Sequence, residues 1–171
     1  MDKREILQAL DMMNAILQGK GIKGEICLYG GAVMCLAFEA RRSTKDVDGV
    51  FHPAAEVRAA AAETARRMDL PESWLNDGVK GFLVEHPRRT WLSLSNLHVL
   101  VAETDYLFAM KALAARVDTS DRDDMRLLIR ELKIQRLDDA LQVVEKYYPR
   151  NLVKPATLYF LEELFDESHD H

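Results

Sequence analysis

Cysteine is scarce, with only Cys27 and Cys35 in 171 residues. Both sit in apolar surroundings, which excludes a disulfide scaffold and predicts buried, reduced thiols that pack as small hydrophobes. No apolar run approaches the roughly 20 residues that a membrane-spanning helix requires, so no membrane association is expected. Eight glycines and five prolines are too few for a low-complexity chain. Nor is there an excess of positive charge. The net charge of −5 argues against tight nonspecific nucleic-acid binding and leaves only a local basic patch open. The negative charge is concentrated at one end, in Glu162, Glu163, Asp166, Glu167 and Asp170, and the rest is formally neutral. The opening residues Met1–Glu5 run straight into an amphipathic pattern with no apolar signal core, so the expected location is cytoplasmic.

What is present suits a folded protein. Hydrophobic residues make up 48% of the chain and charged residues 30%, and this length favours one domain or one domain with a helical appendage. Ile6, Leu7, Leu10, Met13 and Leu17 recur at helical spacing and predict a helix over 3–18. Gly19, Gly21 and Gly24 end it. Ile26–Tyr29 reads as a buried strand, Ala32–Ala40 as a buried helix, and Asp46–Phe51 as a second strand. Pro53 opens an alanine-rich helix to about Met68. A short helix is expected around Trp74–Asp77, and strands at Phe82–Glu85, Trp91–Leu94 and Leu97–Val101. From Thr104 the pattern is helical, with helices expected at about 104–113, 121–132, 137–148 and from Pro155. The layout predicts a mixed α/β core over 1–103 and a C-terminal helical region over 104–171 packed on it.

The chemistry concentrates in Tyr29-Gly30-Gly31 and Asp46-Val47-Asp48. Alternation along a strand places Asp46 and Asp48 on one face, about 7 Å apart. Two carboxylates at that spacing repel unless a cation lies between them, and hard oxygen donors suit Mg²⁺, or Mn²⁺ in its place. Gly30-Gly31 leaves backbone N–H groups open at the start of the next helix, a seat for phosphate. A phosphate cradle opposite a metal-binding acid pair is apparatus for phosphoryl or nucleotidyl transfer. Arg42, on the intervening loop beside Asp46, suits a phosphate contact.

Gly30-Gly31, Arg42, Thr44 and Asp46-Val47-Asp48 together resemble the signature of the minimal nucleotidyltransferases of the DNA-polymerase-β-like superfamily. The likeness is strongest to the branch holding the AbiEii-type toxins and the related DUF6036-type proteins. Tyr106–Arg116 followed by Asp121 and Asp124 is similar to that branch's Lys-x4-Arg and Asp-x2-Asp helices, and Trp74-Leu75-Asn76-Asp77 resembles the second group. The resemblance spans roughly residues 26–132. It implies a mixed sheet flanked by helices, followed by a C-terminal helical bundle. It further implies Mg²⁺-dependent transfer of a nucleotide from an NTP to an RNA (tRNA) or protein acceptor, with a cognate antitoxin as a further partner in a toxin–antitoxin system. Residue by residue, it implies triphosphate binding by Gly30 and Gly31, metal binding by Asp46 and Asp48, and phosphate contact by Lys111. Asp124 and Asp121 would assist the acceptor or hold Lys111 and Arg116.

Two positions depart from that pattern. The interval from Gly31 to Asp46 is slightly long, as one extra residue in the Glu39–Lys45 loop would make it. Many relatives carry a third carboxylate on a later strand, where this chain offers His98, with Glu85 and Asp77 as substitutes. Other readings of the chain are an NTP- or RNA-binding module of the same fold with weak or no catalysis, and a protein-interaction subunit docking through its acidic tail. His52 reads as a loop residue near the site rather than a ligand, and His86, His98, His169 and His171 show no metal-ligand spacing. Arg122, Arg126, Arg130 and Lys133 recur at helical spacing as a surface ladder or an RNA path.

Overall fold

The computed structural model describes residues 1–114 and 119–166. They divide into two compact units, one formed by Met1–Leu83 with Arg88–Ala102, the other by Val84–Pro87 with the residues from Glu103 onward.

The first unit is a five-stranded mixed sheet with helices. Its elements are α1 (Lys3–Gly19), β1 (Gly24–Tyr29), α2 (Gly30–Leu36), β2 (Val47–His52), α3 (Ala54–Met68), β3 (Leu75–Asn76), β4 (Arg88–Ser93) and β5 (Leu97–Ala102). The strand order is β3-β2-β1-β5-β4. β1 pairs antiparallel with β2 and parallel with β5, β3 runs parallel to β2, and β4 runs antiparallel to β5. β1 therefore lies at the centre. β4 forms one edge; it carries exposed Arg88 and Arg89, and its register shifts between Thr90 and Leu92.

α1 starts in a capping box: the Glu5 N–H donates to Asp2 Oδ1 at 2.8 Å, and the Asp2 N–H donates to Glu5 Oε2 at 2.8 Å. Its apolar stripe of Ile6, Ala9, Leu10, Met13, Ile16 and Leu17 is buried. α3 buries Val57, Ala60, Ala61 and Ala65, small side chains that let α1 pack closely against it. The two helices meet the sheet at Gly24, where an added Cβ would lie 2.9 Å from Leu17 and 3.2 Å from Val57. Ile26, Leu28, Val47, Phe51, Leu97, Val99 and Val101 alternate onto this face and are buried. Residues in register across the strands share a face, so Glu25, Cys27 and Tyr29 lie on the opposite one with Asp48, Val50, His52, His98 and Leu100.

The segment after α3 departs from expectation. Trp74 is buried and donates its indole N–H to the Ala61 carbonyl at 3.0 Å, and the Val47 N–H donates to the Trp74 carbonyl at 2.7 Å. Trp74–Asp77 is therefore not a short helix; Leu75–Asn76 is a strand drawn alongside β2. Phe82–Glu85 is not a strand either. A 3₁₀ turn covers Gly78–Phe82, and Phe82 is 74% exposed. An apolar run with no strand beside it has no ladder to join. The helix expected over Ala32–Ala40 begins two residues earlier and ends at Leu36.

The second unit holds α4 (Thr104–Ala114), α5 (Thr119–Glu131), α6 (Leu137–Glu145) and α7 (Pro155–Asp166). α4 contacts each of the other three, which explains why Tyr106, Leu107, Phe108, Ala109 and Ala112 are all buried. Val84–Pro87 belongs here because His86 stacks on Tyr106, with centroids 3.8 Å apart and rings inclined by 5°. The Tyr106 hydroxyl accepts from the Val84 N–H at 3.1 Å and shares a 2.9 Å hydrogen bond with Tyr148.

Candidate active site

In the first unit the site forms where β1 passes into α2. Gly30 takes φ +61°, a left-handed conformation that glycine adopts without strain, so helix α2 begins within one residue of the strand. A Cβ on Gly30 would stand 3.0 Å from Asp48 Oδ2. One on Gly31 would stand 2.8 Å from Thr44 Oγ1 and 3.4 Å from Arg41 Nη1. Strand β2 and the loop that leads into it thus close on a bare glycine backbone. The loop that supplies Thr44 is pinned: its hydroxyl donates to the Asp46 carbonyl at 3.0 Å, and its N–H donates to the Met1 carbonyl at 2.8 Å.

Asp46 immediately precedes β2, and Asp48 lies within it, in register with Tyr29 on one side and Asn76 on the other. Asp48 is half-buried. Burial, and then the neighbouring charge of Asp46, push its carboxyl above the usual range, opposed by a hydrogen bond from Asn76. Asn76 Nδ2 also donates to Asp46 Oδ2 at 3.4 Å. Two partly desolvated carboxylates side by side favour a cation between them. As hard oxygen donors they fit Mg²⁺, a small ion held through one or two carboxylates with water and phosphate oxygens completing its shell. Among the described residues no group of three His, Cys, Asp or Glu side chains is placed to hold a metal.

The expected third carboxylate has no counterpart on β5 at this level. The β1–β5 register reaches Leu28↔Val101, so the β5 residue level with Tyr29 and Asp48 is Ala102. His98 is level with Glu25 instead, four residues back along β1. There its Nδ1 lies 3.5 Å from Glu25 Oε2, and its Nε2 lies 3.0 Å from Thr90 Oγ1. Glu85 is exposed and outside any strand. Asp77 pairs with Arg58 at 2.6 Å. Arg42 is exposed, and the guanidinium over Gly31 belongs to Arg41.

The second unit brings together three more of the expected residues. Lys111 Nζ lies 2.6 Å from Asp124 Oδ2 and 3.1 Å from Asp121 Oδ1. The Asp124 side chain is 1% exposed and that of Lys111 12%. α4 and α5 supply the two sides of this ion cluster, and the three-residue spacing of Asp121 and Asp124 puts both carboxylates on one helix face. Arg116, expected beside them, lies outside the described residues, as do His169 and His171.

Sequence reasoning gave no site role to Arg41 and named Asn76 only as part of the Trp74-Leu75-Asn76-Asp77 motif. A signal for Asn76 was available: an Asn two residues before a glycine is a common side-chain-to-backbone turn, and the Gly78 N–H does donate to Asn76 Oδ1, at 3.1 Å.

No family model, no curated protein and no solved structure matches this chain.

Proposed function

We propose that the protein is a Mg²⁺-dependent nucleotidyltransferase that moves a nucleoside monophosphate from an NTP to an RNA (tRNA) or protein acceptor. The observation that carries this reading is the Asp48 carboxylate standing against Gly30, with Asp46 two residues before it and joined to the same site through Asn76. The carboxylate pair supplies negative charge where the bound cation would sit. The glycine backbone, with Arg41 beside it, supplies donors for phosphate oxygens. The cation, when bound, neutralises charge on the triphosphate and on the leaving group. In the reaction the acceptor hydroxyl bonds to the α-phosphorus, the α–β phosphoanhydride breaks and pyrophosphate leaves, while the hydroxyl proton passes to solvent or to a nearby carboxylate. Lys111, held by Asp121 and Asp124, is proposed as a cation for the triphosphate, and Arg42 and Arg116 as further phosphate contacts. A cytoplasmic toxin of a toxin–antitoxin pair is the biological role that fits this chemistry.

The test is incubation with each α-labelled NTP, Mg²⁺ and total cellular RNA and protein. Label transferred to one acceptor class, and lost in Asp46→Asn and Asp48→Asn, supports the reading. A specific observation favours one other reading, an NTP-binding module without transfer: the β5 residue level with Asp48 is Ala102, which offers no carboxylate. A nucleotide- and Mg²⁺-dependent rise in melting temperature with no label transfer would select it.

A further inference from the structure

Asn76 stands on the two-residue strand β3, in register with Asp48. Its amide has two ends with different jobs. A backbone N–H can only donate, so the hydrogen bond from Gly78 at 3.1 Å fixes the oxygen toward Gly78. The NH₂ group is thereby turned to the carboxylates, where it reaches Asp46 Oδ2 at 3.4 Å. The strand that carries Asn76 is itself held from both sides. Trp74 is anchored to α3 through Ala61, the Val47 N–H binds the Trp74 carbonyl, and Asp77 pairs with Arg58 of α3. The short segment Trp74–Asp77 is thus a bracket with a single amide aimed at the acid pair.

We infer that Asn76 is the positioning residue of the acid pair, its side-chain NH₂ orienting the two carboxylates for a divalent cation. The inference rests on the reading of Asp46 and Asp48 as cation ligands. Groups that orient metal-binding carboxylates set affinity by fixing which oxygen faces the ion. Holding Asp46 Oδ2 in a hydrogen bond leaves Oδ1 for the cation, and places a neutral donor beside two negative charges that would otherwise push apart.

Two substitutions separate this role from that of a turn former. Asn76→Asp keeps the oxygen that accepts from Gly78 but replaces the NH₂ by a third negative oxygen. Asn76→Ala removes both ends. Full-length protein is titrated with Mn²⁺ alone, free ion is read by electron paramagnetic resonance, and melting curves are recorded for each variant. The expected result is Mn²⁺ binding weakened by about 10- to 100-fold in Asn76→Ala, and tightened in Asn76→Asp because a third carboxylate adds charge at the ion. Wild-type binding with Asn76→Asp unchanged in affinity and in melting temperature would overturn the inference alone, since only the turn would then matter. No Mn²⁺ binding by the wild type would overturn the cation reading of the acid pair and this inference with it.

Discussion

Asp48 Oδ2 lies 3.0 Å from the point where Gly30 would carry a Cβ. Any side chain at residue 30 therefore meets two obstacles, the φ of +61° and the carboxylate itself. Gly30→Ala is expected to lose about 1–2 kcal/mol from the left-handed backbone and to push Asp48 out of line with Asp46. Melting curves should show the first effect, and a Mn²⁺ titration of the folded fraction the second. An alanine variant that binds Mn²⁺ as tightly as the wild type would separate Gly30 from the site.

Gly31→Val tests the phosphate side of the same turn. Its Cβ would come within 2.8 Å of Thr44 Oγ1, and the branched side chain would cover the backbone N–H groups at the start of α2. The nucleotide-induced rise in melting temperature should vanish, while the variant's own melting temperature falls less. An unchanged nucleotide response would move the phosphate site elsewhere.

Asp48→Asn should abolish nucleotide transfer and yet raise stability at neutral pH in the absence of metal. Burial, and then the charge of Asp46, raise the Asp48 carboxyl from its ordinary value of 3.8. A carboxyl that binds its proton more tightly when folded places no charge penalty on the fold below its unfolded pKa. Stability is then lost as pH rises through the raised folded value. The neutral amide removes that loss. The variant should melt above the wild type at pH 7, and the gap should close toward pH 3; a gap independent of pH would contradict the assignment.

Lys111→Ala leaves Asp124, 1% exposed, without this cation. Removing one partner of a buried ion pair costs about 3–5 kcal/mol, whereas exposed Arg130, replaced by alanine on α5, should change stability by no more than about 0.5 kcal/mol. The double substitution Lys111→Met with Asp124→Leu should recover most of the stability. If it also recovered transfer activity, the cluster would be structural and Lys111 would have no part in the chemistry.

Asp105 is expected to contribute to the acid limb of the second unit. Burial alone would raise its carboxyl, but hydrogen bonds from Lys146 and Tyr147, both at 2.7 Å, bring it below the ordinary 3.8. A lowered carboxyl contributes stability that is complete above the unfolded pKa and disappears as pH falls from there through the folded one. Asp105→Asn should flatten the loss of melting temperature below about pH 4 relative to wild type, as followed by circular dichroism. An acid limb of unchanged slope would assign it to other carboxylates.

The sequence makes legible those parts of the molecule that depend on local pattern. The stripe Ile6–Leu17, the alanine run after Pro53, and β1, β2 and β5 announce themselves by period and flanking residues. β3 does not, because a two-residue strand is created by its partner: Trp74 must first find Ala61 before Leu75 and Asn76 can lie along β2. Phe82-Leu83-Val84 misleads for the converse reason, since its composition suits a strand and no strand runs beside it. In the candidate site, the proximity of Gly30 to Asp48 follows from two adjacent strands and is readable from their order. The level of His98 depends on the β1–β5 register, which no local pattern encodes, and so Ala102 rather than His98 is level with Asp48.

The central position of β1 has a consequence for how the protein is made. Its neighbour β5 is the last strand of the sheet to leave the ribosome, whereas β1 and β2 emerge early and can pair as soon as they do. Until Leu97–Ala102 arrives, the nascent chain holds a half-built sheet with the far edge of Ile26-Cys27-Leu28-Tyr29 open, a row of unsatisfied backbone groups beside an apolar strand. Sheet completion waits on a contact far apart in sequence, which slows folding relative to the local helices. Stalled or truncated chains ending before Leu97 are therefore expected to be the sticky species in the life of this protein.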